Sequence, residues 1–357
     1  MDKFSMKKTF VVYQSEIHSY RLPIWLSFSK KFNLKLFLKN KNLKFLTKEQ
    51  KLKIIKSKIV HSSGFMNKNI LLEIFFNRID YFWLSIDTKK TLEFIFLQIL
   101  KFSGTKIIVH SQGLHNIKKH NLFSAKLKYV LHFIWILLAN RVIIYSSLKN
   151  GPYKINFFQD KIKVVRNRDA YLEQYLDEFL INKSKEKKIS LKDKKNILVL
   201  GRVRDSLFAN FLKEVSISLK KNEIPLKINL VGDINLEQKK LLNSKNLKCF
   251  GPIRDPKIIL EIAKDCSIGF HPSDTGLSAT SYQMLGLIPV FHSSFCNHGP
   301  EPLDSYKDVK CFTFAKNNVD EAVESIKNAY LYYKENRITQ KKVFVGKYAQ
   351  ELIENLP

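Results

Sequence analysis

Short apolar, β-branched runs alternate with longer segments of helical period along most of this 357-residue chain. The short runs predict buried strands, and apolar spacings of three and four residues predict helices between them. The predicted strands are residues 9–13, 34–37, 81–86, 106–110, 141–145, 162–165, 197–200, 227–231, 247–250, 267–270 and 288–291. The predicted helices are residues 22–31, 68–77, 88–102, 123–139, 147–158, 206–220, 236–242, 257–264 and 278–285. This alternation favours the α/β class, with two Rossmann-like domains facing a cleft.

A polar, lysine-dense stretch divides the two halves of the pattern. Residues 182–196 read NKSKEKKISLKDKKN and contain almost no apolar side chain. Such composition is typical of a linker between domains. We therefore expect an N-terminal Rossmann-like domain at 1–181, a linker at 182–196 and a C-terminal Rossmann-like domain at 197–335. Residues 336–357 are expected to form a helix that packs back on the N-terminal domain.

The charge of the chain is strongly asymmetric. Lys and Arg number 61 against 32 Asp and Glu, a net charge of 61 − 32 = +29. Residues 1–195 hold 39 basic and 14 acidic residues, which gives 39 − 14 = +25, whereas residues 196–357 hold 22 and 18, which gives +4. The excess predicts that the first half meets a polyanion. Because only five of its 39 basic residues are Arg, we expect an anionic membrane surface and no nucleic acid.

Further features concern the compartment. Four cysteines in 357 residues are too few for a disulfide scaffold and fit a reducing cytoplasm. The longest apolar stretch, residues 129–139, is shorter than the roughly 20 residues that cross a bilayer. We expect its helix to lie in the core, with an interfacial membrane helix as the alternative. The expected location is the cytoplasm, peripheral at the inner face of the cytoplasmic membrane.

Residues 267–291 carry the most informative pattern for function. A strand ends in Pro272-Ser273, the loop Asp274-Thr275-Gly276 follows, and a helix then begins near residue 277. The first turn of a helix leaves backbone N–H groups unpaired at the positive end of the helix dipole. At the carboxyl edge of a parallel sheet, residues 275–280 are therefore expected to cradle a phosphate.

This segment resembles the signature of the family 4 ("group 1") retaining glycosyltransferases of the GT-B fold. The matching residues are Pro272, Ser273, Gly276, Met284, Gly286, Pro289 and Val290. The chain departs from the family at both signature glutamates, because Asp274 stands at the first position and Tyr282 or Gln283 at the second. Further segments that resemble the family, in the same order, are ILVLGR at 197–202, LVGD at 230–233, CFGPIR at 249–254, YRLP at 20–23 and VHSQG at 109–113.

The resemblance implies roles for individual residues in each domain. In the C-terminal, donor-binding domain, Arg202 and Arg204 would hold the donor diphosphate, and Gly251 and Arg254 would lie by the nucleobase. The amides of Thr275, Gly276, Leu277 and Ser278 would take the phosphates, with Tyr282 or Gln283 on the ribose. In the N-terminal, acceptor-binding domain, Tyr20, Arg21 and His110 would lie near the sugar, and Glu16 is a minor candidate for the acceptor base. The expected catalytic residues are His110, Arg202 and Asp274.

The expected activity follows from the same resemblance. It is transfer of a sugar from a nucleotide-sugar donor, with retention, to a saccharide acceptor linked to lipid in capsule, lipopolysaccharide or another envelope polymer. No Asp-x-Asp occurs, and His292, Cys296 and His298 lack a fourth ligand for tetrahedral zinc, so neither a metal nor a further cofactor is expected. The alternatives are a sugar-nucleotide epimerase of the same fold and a degenerate glycosyltransferase that serves as a binding subunit.

Overall fold

The computed structural model describes residues 7–14, 16–39, 46, 48–57, 59–62, 73, 76–114, 122–147, 151–183, 194–203, 205–336 and 347–357. The chain divides into two compact units. The first unit comprises residues 1–166 together with 346–357, and the second comprises residues 167–345. Each unit is built on its own parallel sheet.

The first unit contains a parallel sheet of seven strands in the order β3-β2-β1-β4-β5-β6-β7. Its strands are β1 Thr9–Gln14, β2 Asn33–Leu38, β3 Val60–Ser62, β4 Tyr81–Ser85, β5 Lys106–Ser111, β6 Arg141–Ile144 and β7 Ile162–Val164. The central strands are apolar on both faces, as expected for a parallel sheet covered by helices. Six of the seven match predicted strands, and the short edge strand β3 was not predicted.

Helices cover both faces of this sheet. They are α1 Leu22–Lys31, α2 Lys48–Ser57, α3 Thr91–Phe96, α4 Leu122–Leu138 and, from the end of the chain, α12 Tyr348–Glu354. Helix α1 has the predicted bounds, with proline in its first turn and Trp25 and Phe28 packed on the sheet. A 3₁₀ helix, Leu97–Ser103, continues directly from α3.

Two helices predicted in the first unit are not seen as predicted. The helix predicted at 147–158 is instead two 3₁₀ turns, Gly151–Lys154 and Asn156–Phe158, because Gly151 has a positive φ of +57° and proline follows it. Most of the helix predicted at 68–77 lies outside the described residues. Helix α12 belongs to the first unit and packs against α1.

The second unit repeats the plan with six parallel strands in the order β10-β9-β8-β11-β12-β13. The strands are β8 Asn196–Leu200, β9 Lys227–Val231, β10 Leu247–Gly251, β11 Cys266–His271, β12 Ile288–His292 and β13 Phe312–Phe314. The helices are α5 Ala170–Lys183, α6 Ser206–Lys221, α7 Leu236–Leu241, α8 Pro256–Ala263, α9 Leu277–Met284, α10 Glu301–Asp308 and α11 Val319–Asn336. Both units thus have the predicted Rossmann-like α/β architecture.

The division between the units falls earlier in the chain than the linker predicted at 182–196. Helix α5 lies before that linker, yet Leu172 and Leu176 are buried in a cluster with Leu198, Leu200 and Leu260 of the second unit. Because burial of this apolar helix face is favourable, α5 packs with the second unit even though the polar stretch follows it in sequence. Most of the predicted linker, residues 184–193, lies outside the described residues. Among the described helices, none has the length and apolar character that crossing a bilayer requires.

Candidate functional site

The start of helix α9 in the second unit is open to an anion. Its N-cap is Gly276, and no side chain caps the helix; the Ala279 amide donates to the Gly276 carbonyl at 2.9 Å, which leaves the amides of Leu277 and Ser278 available. The preceding loop is held firmly, because the amide of Thr275 donates to His298 Nδ1 at 2.9 Å and the Thr275 carbonyl accepts from the Gly299 amide at 2.8 Å. The Thr275 amide, predicted to take a phosphate, is therefore already paired. A fixed loop with unpaired amides at a helix N-terminus suits a phosphate group.

The end of strand β8 lies beside this helix start. The Ser278 hydroxyl donates to the Leu200 carbonyl at 2.9 Å. Gly201 follows with φ +141°, and a Cβ added there would lie 3.8 Å from Ser278 Oγ. Glycine is therefore needed for the backbone conformation of this corner. The two corners that the sequence assigns to phosphate binding are neighbours within one unit.

Arg202 extends from the β8 corner into solvent. Its side chain is 65% exposed, and Nε lies 3.7 Å from Oδ2 of Asp233, which is 62% exposed. An exposed ion pair at this distance contributes little to stability, so the guanidinium can reorient towards an anionic ligand. Arg204, predicted to act with it, lies outside the described residues.

Asp274 is ionised by its neighbours. Its Oδ1 lies 2.8 Å from Lys316 Nζ and 3.0 Å from His292 Nε2. Partial burial favours the neutral acid, but the hydrogen bond and charge of Lys316, together with His292, outweigh it and lower the pKa of Asp274. The loop thus presents a carboxylate that stays charged at neutral pH.

Two stacked histidines support that carboxylate. The rings of His292 and His298 lie 3.9 Å apart, and His298 Nε2 donates to the His292 carbonyl at 2.7 Å. Burial, followed by the proximity of His298, lowers the pKa of His292 to about 4, so this ring is neutral at pH 7. Its Nε2–H then donates to Asp274, and its buried Nδ1 accepts no hydrogen bond from any described residue.

The expected ribose-binding role of Tyr282 does not fit the structure. Tyr282 is fully buried, and its hydroxyl accepts from the Leu200 amide at 2.9 Å and donates to the Phe270 carbonyl at 2.8 Å. The ring lies against β11, where a Cβ added to Gly269 would approach it to 2.2 Å. Tyr282 therefore joins α9 to strands β8 and β11. Gln283 is buried too, at 4% exposure, which places it away from the surface of the phosphate cradle.

A surface groove lies at the end of strand β10, where the resemblance places the nucleobase. It has a volume of about 830 Å³, and Gly251 stands at its edge with φ +75°. Phe250 and Pro252 provide apolar lining, and Asn235 and Glu237 provide polar groups from the start of α7. Arg254 is exposed a few residues later. The groove offers both an apolar wall and hydrogen-bonding groups to a planar base.

Glu301 is a candidate that sequence reasoning passed over as unspecific. It is 4% exposed, and Oε1 accepts from Asn167 Nδ2 at 2.8 Å. Its Oε2 would lie 3.4 Å from a Cβ on Gly276 and 2.5 Å from one on Gly299. A second carboxylate thus reaches the Asp274 loop from another helix. The glycine at position 299, which leaves room for it, was the available signal.

The first unit places Arg21 among aromatic rings at the carboxyl edge of its sheet. The guanidinium lies 4.9 Å from the Tyr145 ring centre and 5.6 Å from that of Tyr20. Burial opposes its charge, but Tyr145, Tyr20 and Tyr348 raise the pKa of Arg21 above its ordinary value. The charge is therefore permanent.

Three buried donors in the first unit, one of them on Arg21, have no partner in the part of the chain that the structure describes. Arg21 Nε, Gln14 Nε2 and Trp25 Nε1 are all buried, and none has a hydrogen-bond partner among the described residues. All three are N–H donors from the end of β1 and the start of α1. Such a set suits a ligand rich in acceptors, and neither Gln14 nor Trp25 was predicted from the sequence.

His110, predicted to lie near the donor sugar, has both ring nitrogens engaged inside the protein. It is 7% exposed, its Nδ1 accepts from Trp83 Nε1 at 2.8 Å, and its Nε2 lies 2.9 Å from Ser85 Oγ. Since the indole only donates, the neutral His110 ring must donate from Nε2 to Ser85. Burial, followed by the charge of Arg21, lowers the pKa of His110 to about 3. The exposed hydroxyl of Ser85 is therefore the group that faces solvent here.

Glu16 and Tyr20 lie in the loop before α1. Glu16 Oε1 is 3.3 Å from His18 Nε2, and the His18 ring stacks on Tyr20 with centres 5.3 Å apart. Both side chains are partly exposed. Through Tyr20, whose ring also contacts Arg21, this loop and Arg21 form one cluster within the first unit.

Comparison of sequences finds no similar protein, whereas comparison of structures does. No protein-family model and no curated protein sequence matches the chain. The fold is similar to that of UDP-GlcNAc 2-epimerase from Neisseria meningitidis bound to UDP-GlcNAc, with TM-score 0.64, 16% identity, and 98% of this chain and 99% of that chain covered.

Two further solved structures are similar. S. aureus MnaA in complex with UDP has TM-score 0.63 and 12% identity, over 98% of this chain and 95% of that chain. The lipopolysaccharide outer core galactosyltransferase WaaB in its apo form has TM-score 0.57 and 12% identity, over 98% of both chains. At these identities the likeness shows the fold, which is the GT-B-like pair of Rossmann-like units expected from the sequence.

Proposed function

We propose that the chain is a glycosyltransferase that takes a sugar from a nucleotide-sugar, most simply a UDP-sugar. The observation that carries this proposal is the juxtaposition of the uncapped α9 start with the Gly201 corner in the second unit. Solved structures of similar fold include complexes with UDP and with UDP-GlcNAc, which supports a nucleotide-sugar ligand. The family 4 motif residues around Asp274 support transfer with retention.

In this proposal the second unit stabilises the leaving group. The first-turn amides of α9 and the Arg202 guanidinium hold the diphosphate and neutralise the charge that develops as the glycosidic bond breaks. Asp274, kept ionised by Lys316, lies beside the donor sugar and stabilises positive charge on it. No metal ion or further cofactor is required, because amides and guanidinium supply the electrostatic stabilisation.

The acceptor proposed is a saccharide linked to lipid, used in making capsule, lipopolysaccharide or another envelope polymer. The first unit would bind it through Arg21 and the unpaired N–H donors of Gln14 and Trp25, which suit an acidic or phosphorylated acceptor. The net charge of +25 in residues 1–195 supports work at an anionic membrane on its cytoplasmic face.

A second candidate function is epimerisation of a sugar-nucleotide. Two observations favour it: several solved structures of similar fold are of UDP-GlcNAc 2-epimerases, and Glu301 brings a second carboxylate to the Asp274 loop. Proton transfer at a sugar carbon needs such acid and base groups. A catalytically inactive binding subunit is the third candidate.

Incubation of the purified chain with a panel of nucleotide-sugars in D₂O separates these functions. A transferase releases the nucleoside diphosphate in the presence of membrane lipid extract and leaves the sugar C2 undeuterated. An epimerase incorporates deuterium at C2 without an acceptor. We expect Asp274→Asn to bind the nucleotide within about twofold of wild type and to lose about 100-fold in turnover. Binding of a nucleotide-sugar without turnover of any donor would favour the third candidate, a catalytically inactive binding subunit.

A further inference from the structure

Among the described residues, ten of the nineteen exposed large apolar side chains lie in one region of the first unit, on α3 with its 3₁₀ continuation and on α4. They are Leu92, Ile95, Phe96, Ile99 and Phe102 on the first element, and Phe123, Leu127, Tyr129, Val130 and Leu137 on the second. We name these ten residues the apolar face. Isolated exposed apolar residues are ordinary, but a contiguous set of this size marks a binding surface.

The spacing shows that both elements are apolar on the side away from the sheet. Exposed Leu92, Ile95, Ile99 and Phe102 recur every three or four residues, while Phe94, between them, is buried. On α4, Phe123, Leu127, Val130 and Leu137 form a similar stripe along the outside of the helix. A helix face that contacts only water is usually polar. This apolar pattern therefore indicates that the surface binds a partner.

The two stripes lie side by side. Helix α3 connects β4 to β5 and α4 connects β5 to β6, so right-handed crossovers put both on the same face of the sheet. Direct contacts agree: the Phe94 and Trp135 rings stack with centres 3.8 Å apart, and Trp135 Nε1 donates to Thr91 Oγ1 at 3.0 Å. The apolar face is therefore continuous across two packed elements.

The charges around the apolar face select an anionic partner. Residues 88–103 and 122–141 contain six basic residues, Lys89, Lys90, Lys101, Lys126, Lys128 and Arg141, against the single acid Glu93. Lys89 and Lys126 are exposed, whereas Lys90, Lys101 and Arg141 donate to the Tyr13 hydroxyl and to the carbonyls of Leu138 and Asp160. Phe102 is 92% exposed and Phe123 is 80% exposed, the most accessible aromatic side chains of this region. Aromatic tips with flanking lysines match the boundary between acyl chains and anionic headgroups.

We infer that the apolar face inserts into the anionic leaflet of a membrane, with Phe102 and Phe123 entering the acyl region and the lysines pairing with headgroups. This inference specifies how the protein would bind the membrane named in the proposed function. It rests on the proposed function only for the identity of the acceptor. Charge alone would hold the protein above the headgroups, whereas insertion predicts dependence on these apolar side chains.

Vesicle binding of the full chain tests the inference. We expect vesicles with 30% phosphatidylglycerol to bind the wild type, and the Phe102→Ser/Phe123→Ser variant to bind at least tenfold more weakly. A second variant, Ile99→Ser/Leu127→Ser, removes two residues that are each 49% exposed. Its matched control is Ile217→Ser/Leu331→Ser in the second unit, which changes side chains of 53% and 45% exposure and is expected to bind like wild type.

A direct probe of insertion accompanies these variants. Tryptophan in Phe102→Trp should shift its emission to the blue on anionic vesicles and be quenched by brominated acyl chains. Unchanged binding of both serine variants, or an unquenched tryptophan, overturns the inference. A wild-type dimer that the serine variants dissociate, without vesicle binding, assigns the face to a second copy and also overturns it. UDP affinity, measured without vesicles on every variant, reports separately on the proposed function.

Discussion

Replacing Tyr282 with Phe separates a structural role from a ligand-binding role for this residue. The substitution removes the hydroxyl that links the Leu200 amide, at 2.9 Å, with the Phe270 carbonyl, at 2.8 Å. Both backbone groups lie in buried strands and lose their partner. An unpaired buried polar group costs about 1–3 kcal/mol, so the loss of two partners should lower the free energy of unfolding by about 2–6 kcal/mol.

Urea unfolding, followed by circular dichroism, measures this loss, and calorimetric titration with UDP measures binding. Tyr332→Phe is the matched control in the same unit, because the Tyr332 ring packs against Phe312 and its hydroxyl makes no hydrogen bond with a described residue. That control should change stability by less than about 0.5 kcal/mol. Unchanged stability of Tyr282→Phe with UDP affinity lowered tenfold would refute the structural role and restore the ribose-binding one.

Three further predictions concern the same sites. Lowering the pH from 7 to 5 should lower the free energy of unfolding by about 2 kcal/mol for His110 in the first unit and by about 2 kcal/mol for His292 in the second. The reason is that the unfolded histidines, with pKa about 6.5, bind protons in this range, whereas the folded ones, with pKa about 3 and about 4, stay neutral. Constant urea midpoints across this range would contradict this prediction. Arg202→Ala should weaken UDP binding about tenfold or more in titration, whereas Arg78→Ala, also at an exposed ion pair, should leave it unchanged. Gly269→Ala should lower the free energy of unfolding, measured in urea, by about 3 kcal/mol, because its Cβ would lie 2.2 Å from the Tyr282 ring. Gly104→Ala, the control, has open space around its Cβ and should cost only about 1 kcal/mol, because of its positive φ. Equal losses for the two variants would contradict the packing argument.

The fold was largely predictable because its signals are local. Helix α1 begins and ends at the predicted residues, and proline in its first turn fixes the start. The alternation around β11, α9 and β12 gave the loop that holds Asp274. Strands β3 and β13, helices α2, α5, α10 and α11, and the assignment of α5 to the second unit were not predicted. Each of the two strands has only three residues, which carry little periodicity, and the burial of Leu172 depends on distant partners.

The site was less predictable because side-chain direction depends on packing. Sequence spacing placed Tyr282 on the right helix but could not show that its ring fills the space left by Gly269. His110 ends a strand as predicted, yet Trp83 and Ser85 occupy both of its ring nitrogens. Glu301 and Lys316 reach the Asp274 loop from elements far along the chain, and no local motif signals such an encounter.

A crystal structure of the chain with UDP tests the central claim most directly. The account predicts the β-phosphate within hydrogen-bond distance of the first-turn amides of α9, the Arg202 guanidinium turned towards it, and uracil in the groove beside Gly251. Phosphates bound elsewhere on the second unit, or an empty α9 start at millimolar UDP, would contradict the account.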